Sequence, residues 1–595
     1  MELSLSEIEH SLSKSIRVWR WFCCIGLASV FIFAPDSAQA EYTVEINAPR
    51  KLKALLKTHL DLARFAKRTD ISDEQFEFLV AAVPQQAREL AETEGYFSAA
   101  VTTDVIEFAD KNVVTISIDP GPHTTISSVA LNFTGPIQTE APGREQAARR
   151  SWTLRRGEPF SQAAWENAKE ASLKALQAKR YAAAKMTHAQ ARIDPHTQQA
   201  RLEATFESGP TFTIGPIEIS GLKRYPEKII HHVNPLQPGE RYSVERLLEL
   251  QRQVQNTTYF ASVTVDVAND ATQPNQVPVK VKVSEYPFHA IRSGIGYSSD
   301  TGARVQGHYV YNNMFGRSWI LSAQGQFEQR QQNTSLRLSM PPDNKAYTNS
   351  LLGSHTRTNI EDTDIRSLRL GAQRARALQN FDYAWTLLYY EDQLMQNAQA
   401  PDVSRALVPG WSWTRRNVDD PMFARQGNII SLAAGFAVKD IMTEQSFGRF
   451  YMHGRQYFPL GKSDLILLRA ELGSVLTAGG SDGIPASLLF RAGGVNSVRG
   501  YSYQSIGYEV EGSVLPAKYL ATGSSEYQHW FNRDWGAALF YDLGTATDRW
   551  QEKILYQGVG IGVRWRSRVG PINLDVGYGL RERRIRPYLT LGIAF

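Results

Sequence analysis

Apolar residues recur with two different periods along this chain, and the change falls near residue 285. Before it, short alternating runs mix with runs of helical spacing. Tyr42, Val44 and Ile46 alternate as a strand, Asn47-Ala48-Pro49 turns the chain, and Leu52, Leu55, Leu56 and Leu60 follow with amphipathic-helix spacing. Ser72 with Gln75 has the form of a capping box, opening a helix that should stop at Gly95 with a kink at Pro84. Val114, Ile116 and Ile118 then alternate as a strand ahead of Pro120-Gly121-Pro122.

The same order of elements returns. Leu154-Arg155-Arg156-Gly157-Glu158-Pro159-Phe160-Ser161 matches Leu236-Gln237-Pro238-Gly239-Glu240-Arg241-Tyr242-Ser243 at an offset of about 82 residues, the mark of an internal repeat. Each closing serine, Ser161 and Ser243, is placed to cap the helix that follows. Trp165, Leu173 and Leu176 share one helix, and Val244, Leu247, Leu248, Gln251 and Val254 the other. Each helix leads into a tyrosine-centred strand entry, at Tyr181 and Tyr259, with Tyr96 at the same point of the first unit. Gly121-Pro122 and Gly209-Pro210 punctuate the series, so the spacing predicts three α+β units over 41–121, 122–209 and 210–285.

After residue 285 helical spacing largely disappears, and strands of about ten residues follow one another between polar or glycine-rich turns. Val559, Ile561, Val563 and Trp565 alternate with Gly558, Gly560, Gly562 and Arg564. Ile572, Leu574, Val576, Tyr578 and Leu580 alternate with Asn573, Asp575, Gly577 and Gly579, and Leu589, Leu591, Ile593 and Phe595 finish the chain. One face suits lipid and the other a wet lumen. At about twenty residues per strand and turn, 286–595 holds about sixteen strands. The fold class expected is α+β repeats followed by an all-β, antiparallel transmembrane barrel. Along 535–544 the lipid-suited set is Trp535, Ala537, Leu539, Tyr541 and Leu543, which turns Asp542 to the lumen.

Composition changes this picture little. A mean hydropathy of −0.34 resembles a soluble protein, but a barrel that alternates polar and apolar residues keeps its average low. The balance of 65 Lys+Arg against 60 Asp+Glu is too mild to imply nucleic acid. Lys14, Arg17 and Arg20 precede a mostly apolar run over 21–34, and Ala38-Gln39-Ala40 has the small-x-small form of a cleavage site. Residues 1–40 thus read as an export signal, with a membrane anchor as the competing reading although the run is shorter than the ~20 residues of a spanning helix. Cys23 and Cys24 are the two cysteines, and both fall inside this segment, so the expected mature chain has no disulfide, thiolate metal site or Cys nucleophile. Gly558-x-Gly560-x-Gly562 opens no helix and suits small lumen-facing residues better than a dinucleotide. His231-His232 lacks companion ligands at metal spacing, and no Gly-x-Ser-x-Gly elbow occurs. Neither an enzyme, a metal nor a cofactor is expected.

One stretch stands out from the alternation: Phe490-Arg491-Ala492-Gly493-Gly494-Val495-Asn496-Ser497-Val498-Arg499-Gly500-Tyr501. Its glycines free the backbone on both sides of a single arginine. Gly493, Gly494, Val498, Arg499, Gly500 and Tyr501 resemble the VRG(F/Y) loop of the BamA-type outer-membrane superfamily, and the three repeats resemble its POTRA domains. The resemblance implies a loop folded into the lumen, with Arg499 paired to Asp542 and, on the preceding strand, to Glu526. A guanidinium fork suits one or two carboxylates in a narrow lumen. It also implies a weak lateral seam between first and last strands, near Ile295 on one side and Leu591 to Phe595 on the other. Asn313-Met314-Phe315-Gly316-Arg317 resembles an early turn of the superfamily barrel.

Within the superfamily, three POTRA-like units, the loop continuing as Ser502-Tyr503, and Tyr519-Leu520-Ala521-Thr522-Gly523-Ser524 most resemble the TamA branch, the outer-membrane subunit of the translocation and assembly module. That implies a non-enzymatic assembly factor for autotransporters and other outer-membrane proteins. Its partners would be a TamB-like inner-membrane-anchored periplasmic protein meeting the POTRA region, the clients themselves and outer-membrane lipid. The alternatives are a two-partner-type secretion pore and a BamA-like general barrel insertase.

Overall fold

The computed structural model describes residues 42–591 apart from 69–70, 109–110, 361, 379, 397–399, 511 and 569. The expected export signal and Phe595 lie outside the described residues. The chain divides into two compact units. One runs to Ala175 and includes Lys185–Glu207; the other comprises Leu176–Ala184 and Ser208 onward.

In the first unit two three-stranded sheets repeat one topology. Tyr42–Asn47 pairs in parallel with Lys111–Asp119, which pairs antiparallel with Ala100–Phe108. Thr125–Thr134, Gln199–Glu207 and Lys185–Asp194 repeat that order. The central strand buries Val114, Ile116 and Ile118 against Leu56, Phe76 and Val83 of the helices. Ser72 and Gln75 cap each other as their spacing predicts, each backbone N–H donating to the other's side chain at 3.3 Å. The helix they open, Asp73–Thr93, runs through Pro84. Ser161 Oγ accepts the Ala164 N–H at 3.3 Å. Ser243 makes no such bond, so only one of the two expected serine caps forms.

The second unit holds the third copy of that topology, Ile214–Ser220, Val277–Glu285 and Phe260–Val267, followed by the barrel. Its core continues into the barrel wall: Ile320 joins the cluster built on Tyr225, Ile229, Leu250 and Tyr259. Tyr259 Oη donates to Ser318 O at 2.6 Å, and His232 Nδ1 donates to Pro342 O at 2.8 Å. His232 is therefore a docking contact on a barrel turn. The Asn313–Ser318 turn is held by Asn313 Oδ1, which accepts the Ser318 N–H at 2.7 Å, and by left-handed backbone at Asn313, Phe315 and Gly316. Where the sheet hands over to the barrel, Glu285 accepts backbone N–H groups of Lys223 at 2.8 Å and Arg224 at 2.9 Å, and Arg224 Nε at 2.8 Å. Burial alone would raise the Glu285 pKa; these donors outweigh it and hold the carboxyl below its ordinary value.

Among the described residues sixteen antiparallel strands, from His289–Ser298 to Arg584–Leu591, close into a barrel. No helix among them is long and apolar enough to cross a membrane, so the crossing falls to these strands. Ile295, Val305, Leu351, Leu370, Leu539 and Ile561 face outward, and Trp535 stacks on Trp565 at 5.0 Å in the manner of a membrane-interface aromatic girdle.

Candidate functional site

Between the strands Asp464–Thr477 and Tyr519–Trp530 the chain folds back inside the barrel. The segment owes this position to its apolar residues: Leu488, Phe490, Val498, Tyr501 and Ile506 are buried with wall residues such as Val408, Phe447 and Leu520 in one cluster. Isolated bridges from Phe490 to Ala517 and from Ala492 to Ile506 brace the base of the loop. The tip turns on Gly493, Gly494 and Gly500, with φ of 106°, 96° and 100°, a region that side-chain-bearing residues rarely adopt.

Arg499 is 2% exposed, the largest of the fully buried side chains. Its Nε donates to Asp542 Oδ2 at 2.7 Å and its Nη2 to Asp542 Oδ1 at 3.0 Å, a two-point fork, while its own backbone N–H reaches Oδ2 at 3.0 Å. Nη1 donates to Glu526 Oε2 at 2.7 Å and to Asp575 Oδ2 at 3.4 Å. The guanidinium lies 3.4 Å over the Phe540 ring. The structure thus brings Arg499, Asp542 and Glu526 together, and adds residues that resemblance did not supply. Arg564 donates to Glu526 Oε1 at 2.8 Å and to Asp575 Oδ1 at 2.6 Å, and Arg469 approaches Asp542 at 3.8 Å. Three arginines therefore face three carboxylates, so that each acid has a basic partner within one buried site. A signal for two of the newcomers existed: Arg564 and Asp575 are charged members of small, lumen-facing sets.

The wall under the tip is made of glycine for a physical reason. A Cβ on Gly558 would stand 1.8 Å from Arg499 O, and one on Gly579 2.6 Å from Gly500 O. The loop backbone lies on a surface stripped of side chains. Val498 is fully buried, and Tyr501 Oη donates to Gln557 O at 2.9 Å.

Opposite in character is the closure between the first and last strands. Among the described residues their ladder has one pair, Ser298 with Thr590, supplemented by Ser299 N donating to Leu589 O at 3.1 Å and Leu589 N donating to Ser299 Oγ at 3.0 Å. By contrast, Thr363–Ala377 and Phe381–Gln396 stay in register from Thr363–Gln396 to Ala377–Asp382. One step along the register sets Tyr297 opposite Leu591; Ile295 lies two residues further on and points outward. No group of side chains suited to hold a metal occurs among the described residues.

Residues 313–588 match the profile described as the Omp85 superfamily domain, and residues 212–286 match the POTRA profile, described as a surface antigen variable number repeat. The barrel thus matches the Omp85 superfamily domain over most of its length. It is similar to the outer membrane protein assembly factor BamA of Nitratidesulfovibrio vulgaris, 23% identical over 397 residues that make 62% of this chain and 49% of that protein. BamA of Neisseria meningitidis serogroup B is 20% identical over 334 residues, 51% of this chain and 41% of that protein. The chain spans about half the length of the curated relatives it matches. The crystal structure of BamA from Haemophilus ducreyi lacking POTRA domains 1-3 shares the fold, with a TM-score of 0.56 at 16% identity over 79% of this chain and all of that one. This Omp85 barrel sits in the outer membrane with its POTRA units in the periplasm. Neither matched profile describes an enzyme.

Proposed function

We propose that this chain is an outer-membrane assembly factor of the TamA type, which helps autotransporters and other outer-membrane proteins insert and cross, in concert with a TamB-like protein anchored in the inner membrane. The observation that carries the reading is the seam. Among the described residues one ladder pair and two flanking hydrogen bonds join first strand to last, whereas neighbours such as Thr363–Ala377 and Phe381–Gln396 are zipped over nearly their whole length. Backbone N–H and C=O groups exposed in lipid are costly, so an opened seam accepts an incoming strand readily. The POTRA units add edges for extended polypeptide. In the first, Ala100–Phe108 is an edge strand with Ile106 and Phe108 exposed, suited to a partner that adds a strand through main-chain bonds. A BamA-like general insertase is the second reading, favoured by the names of the relatives.

One reconstitution separates them. The full chain in vesicles of outer-membrane lipid is offered an unfolded autotransporter barrel and an unrelated outer-membrane barrel, with and without the TamB-like protein. Faster folding of the autotransporter, enhanced by the partner, is the expected result. Equal acceleration of both barrels with no effect of the partner makes the chain a general insertase. No acceleration of either contradicts both readings.

A further inference from the structure

The lumen loop touches both sides of the seam, and the two attachments are unequal. On the first-strand side, the turn after Ser298 carries Asp300, whose Oδ2 accepts the Val495 N–H at 2.9 Å. The approach is close: a Cβ on neighbouring Gly494 would stand 2.7 Å from that same oxygen. On the last-strand side, Tyr588 Oη accepts the Gly500 N–H at 2.8 Å and donates to Tyr501 O at 2.8 Å, and Arg586 Nη1 donates to Gly500 O at 2.7 Å. Val495 and Gly500 are joined by a short span of four intervening residues. Ser497 N donates to Gly494 O at 3.1 Å within it, and Arg499 fixes it to the wall. Asp300 is two residues from the Ser298–Thr590 pair, and Tyr588 is two residues from it on the other strand.

We infer that Asp300 and Tyr588 are positioning residues that staple the seam from inside through the loop, and that when the seam opens the first strand leaves while the loop stays with the last strand. The inequality gives the direction. Separation of the first strand breaks one loop bond, whereas separation of the last strand breaks three and works against the buried Arg499 cluster. Each of those bonds is buried or partly so, where an unmade partner is costly, so the loop adds to closure although it lies in neither strand. The inference rests on the reading of the seam as the working element and assigns the residues that regulate it.

Hydrogen exchange of the full chain in detergent or vesicles tests the staple with no client present, so its failure is distinct from failure of the assembly reading. Asp300→Ala and Tyr588→Phe should each raise exchange by at least about tenfold at the seam segments 293–300 and 586–591, whose protection then reflects local opening. Exchange at 363–377 and 381–396 should stay at the wild-type rate. Asp300→Asn, which keeps an acceptor oxygen for Val495, should remain near wild type. In Asp300→Ala the loop segment 495–501 should keep its protection, because it stays with the last strand. Wild-type exchange at the seam in both variants, or an equal rise in the control strands, overturns the staple. Loss of loop protection in Asp300→Ala overturns the direction of opening.

Discussion

The two ends of the barrel sheet and the wall that receives the loop are built on opposite principles. At the wall, Arg499, Arg564 and Arg469 meet Asp542, Glu526 and Asp575 across the strands from Tyr519 to Gly579, and glycines clear the floor beneath them. At the seam, among the described residues, a single ladder pair and two hydrogen bonds between Ser299 and Leu589 hold first strand to last. Alternating sequence closes a barrel almost anywhere with repeated main-chain bonds, so a junction with so few of them among the described residues marks a place where closure is kept marginal. The loop reconciles the two, anchored by charge on one side and reaching the seam with its backbone.

The largest effect expected from disturbing this contrast is at Arg499. Arg499→Ala leaves three buried carboxylates facing two arginines and should weaken loop docking by about 3–5 kcal/mol, while the barrel itself still folds. Arg499→Lys should recover only part of it, because an ammonium cannot make the two-point contact with Asp542. A double-mutant cycle on Arg499 and Asp542, read by protease sensitivity of the loop, checks the pairing; zero coupling would contradict it.

Next comes the floor. Gly558→Ala should displace the tip at a cost of about 1–3 kcal/mol, since the new methyl meets the Arg499 carbonyl with nothing flexible to yield. Gly307→Ala, where nothing lies within 4 Å, is the control and should be silent in the same assay.

The smallest effect lies outside the barrel. Glu285 has a lowered pKa in the fold, so its contribution is complete above the ordinary glutamate value of about 4.3 and fades as pH falls through that value and below. Glu285→Gln should cost about 1 kcal/mol of local stability at neutral pH. It should also remove the acid sensitivity of hydrogen exchange over 222–232. An unchanged pH profile would show that the carboxylate does not govern this junction.

Much of this architecture is legible in the amino-acid sequence. Period-two alternation is forced by lipid on one face and water on the other, so the inward orientation of Asp542 follows from parity, and the strand number from the length of the alternating region. The Ser72–Gln75 cap is legible because it is local, two side chains answering two backbone groups three residues apart. Ser243 sits in a matching repeat and still makes no cap, since a repeat of residue types does not guarantee a repeat of rotamers. Arg469 is out of reach for another reason. Its role depends on a loop that brings Val495 within range and on Asp542 two strands along the wall, a long-range arrangement that no local spacing encodes. Seam register is likewise hidden, because a slip of one or two residues between first and last strands leaves the alternation of each intact.

The central claim is that function requires the seam to open. Cysteines at Ser298 and Thr590 would sit directly opposite in the ladder, where antiparallel partners have Cα atoms about 4.5–5.5 Å apart and can be bridged. With the bridge fully formed, the barrel should remain folded, client assembly should stop, and reduction should restore it. Client assembly at the wild-type rate through a completely crosslinked seam would contradict the account.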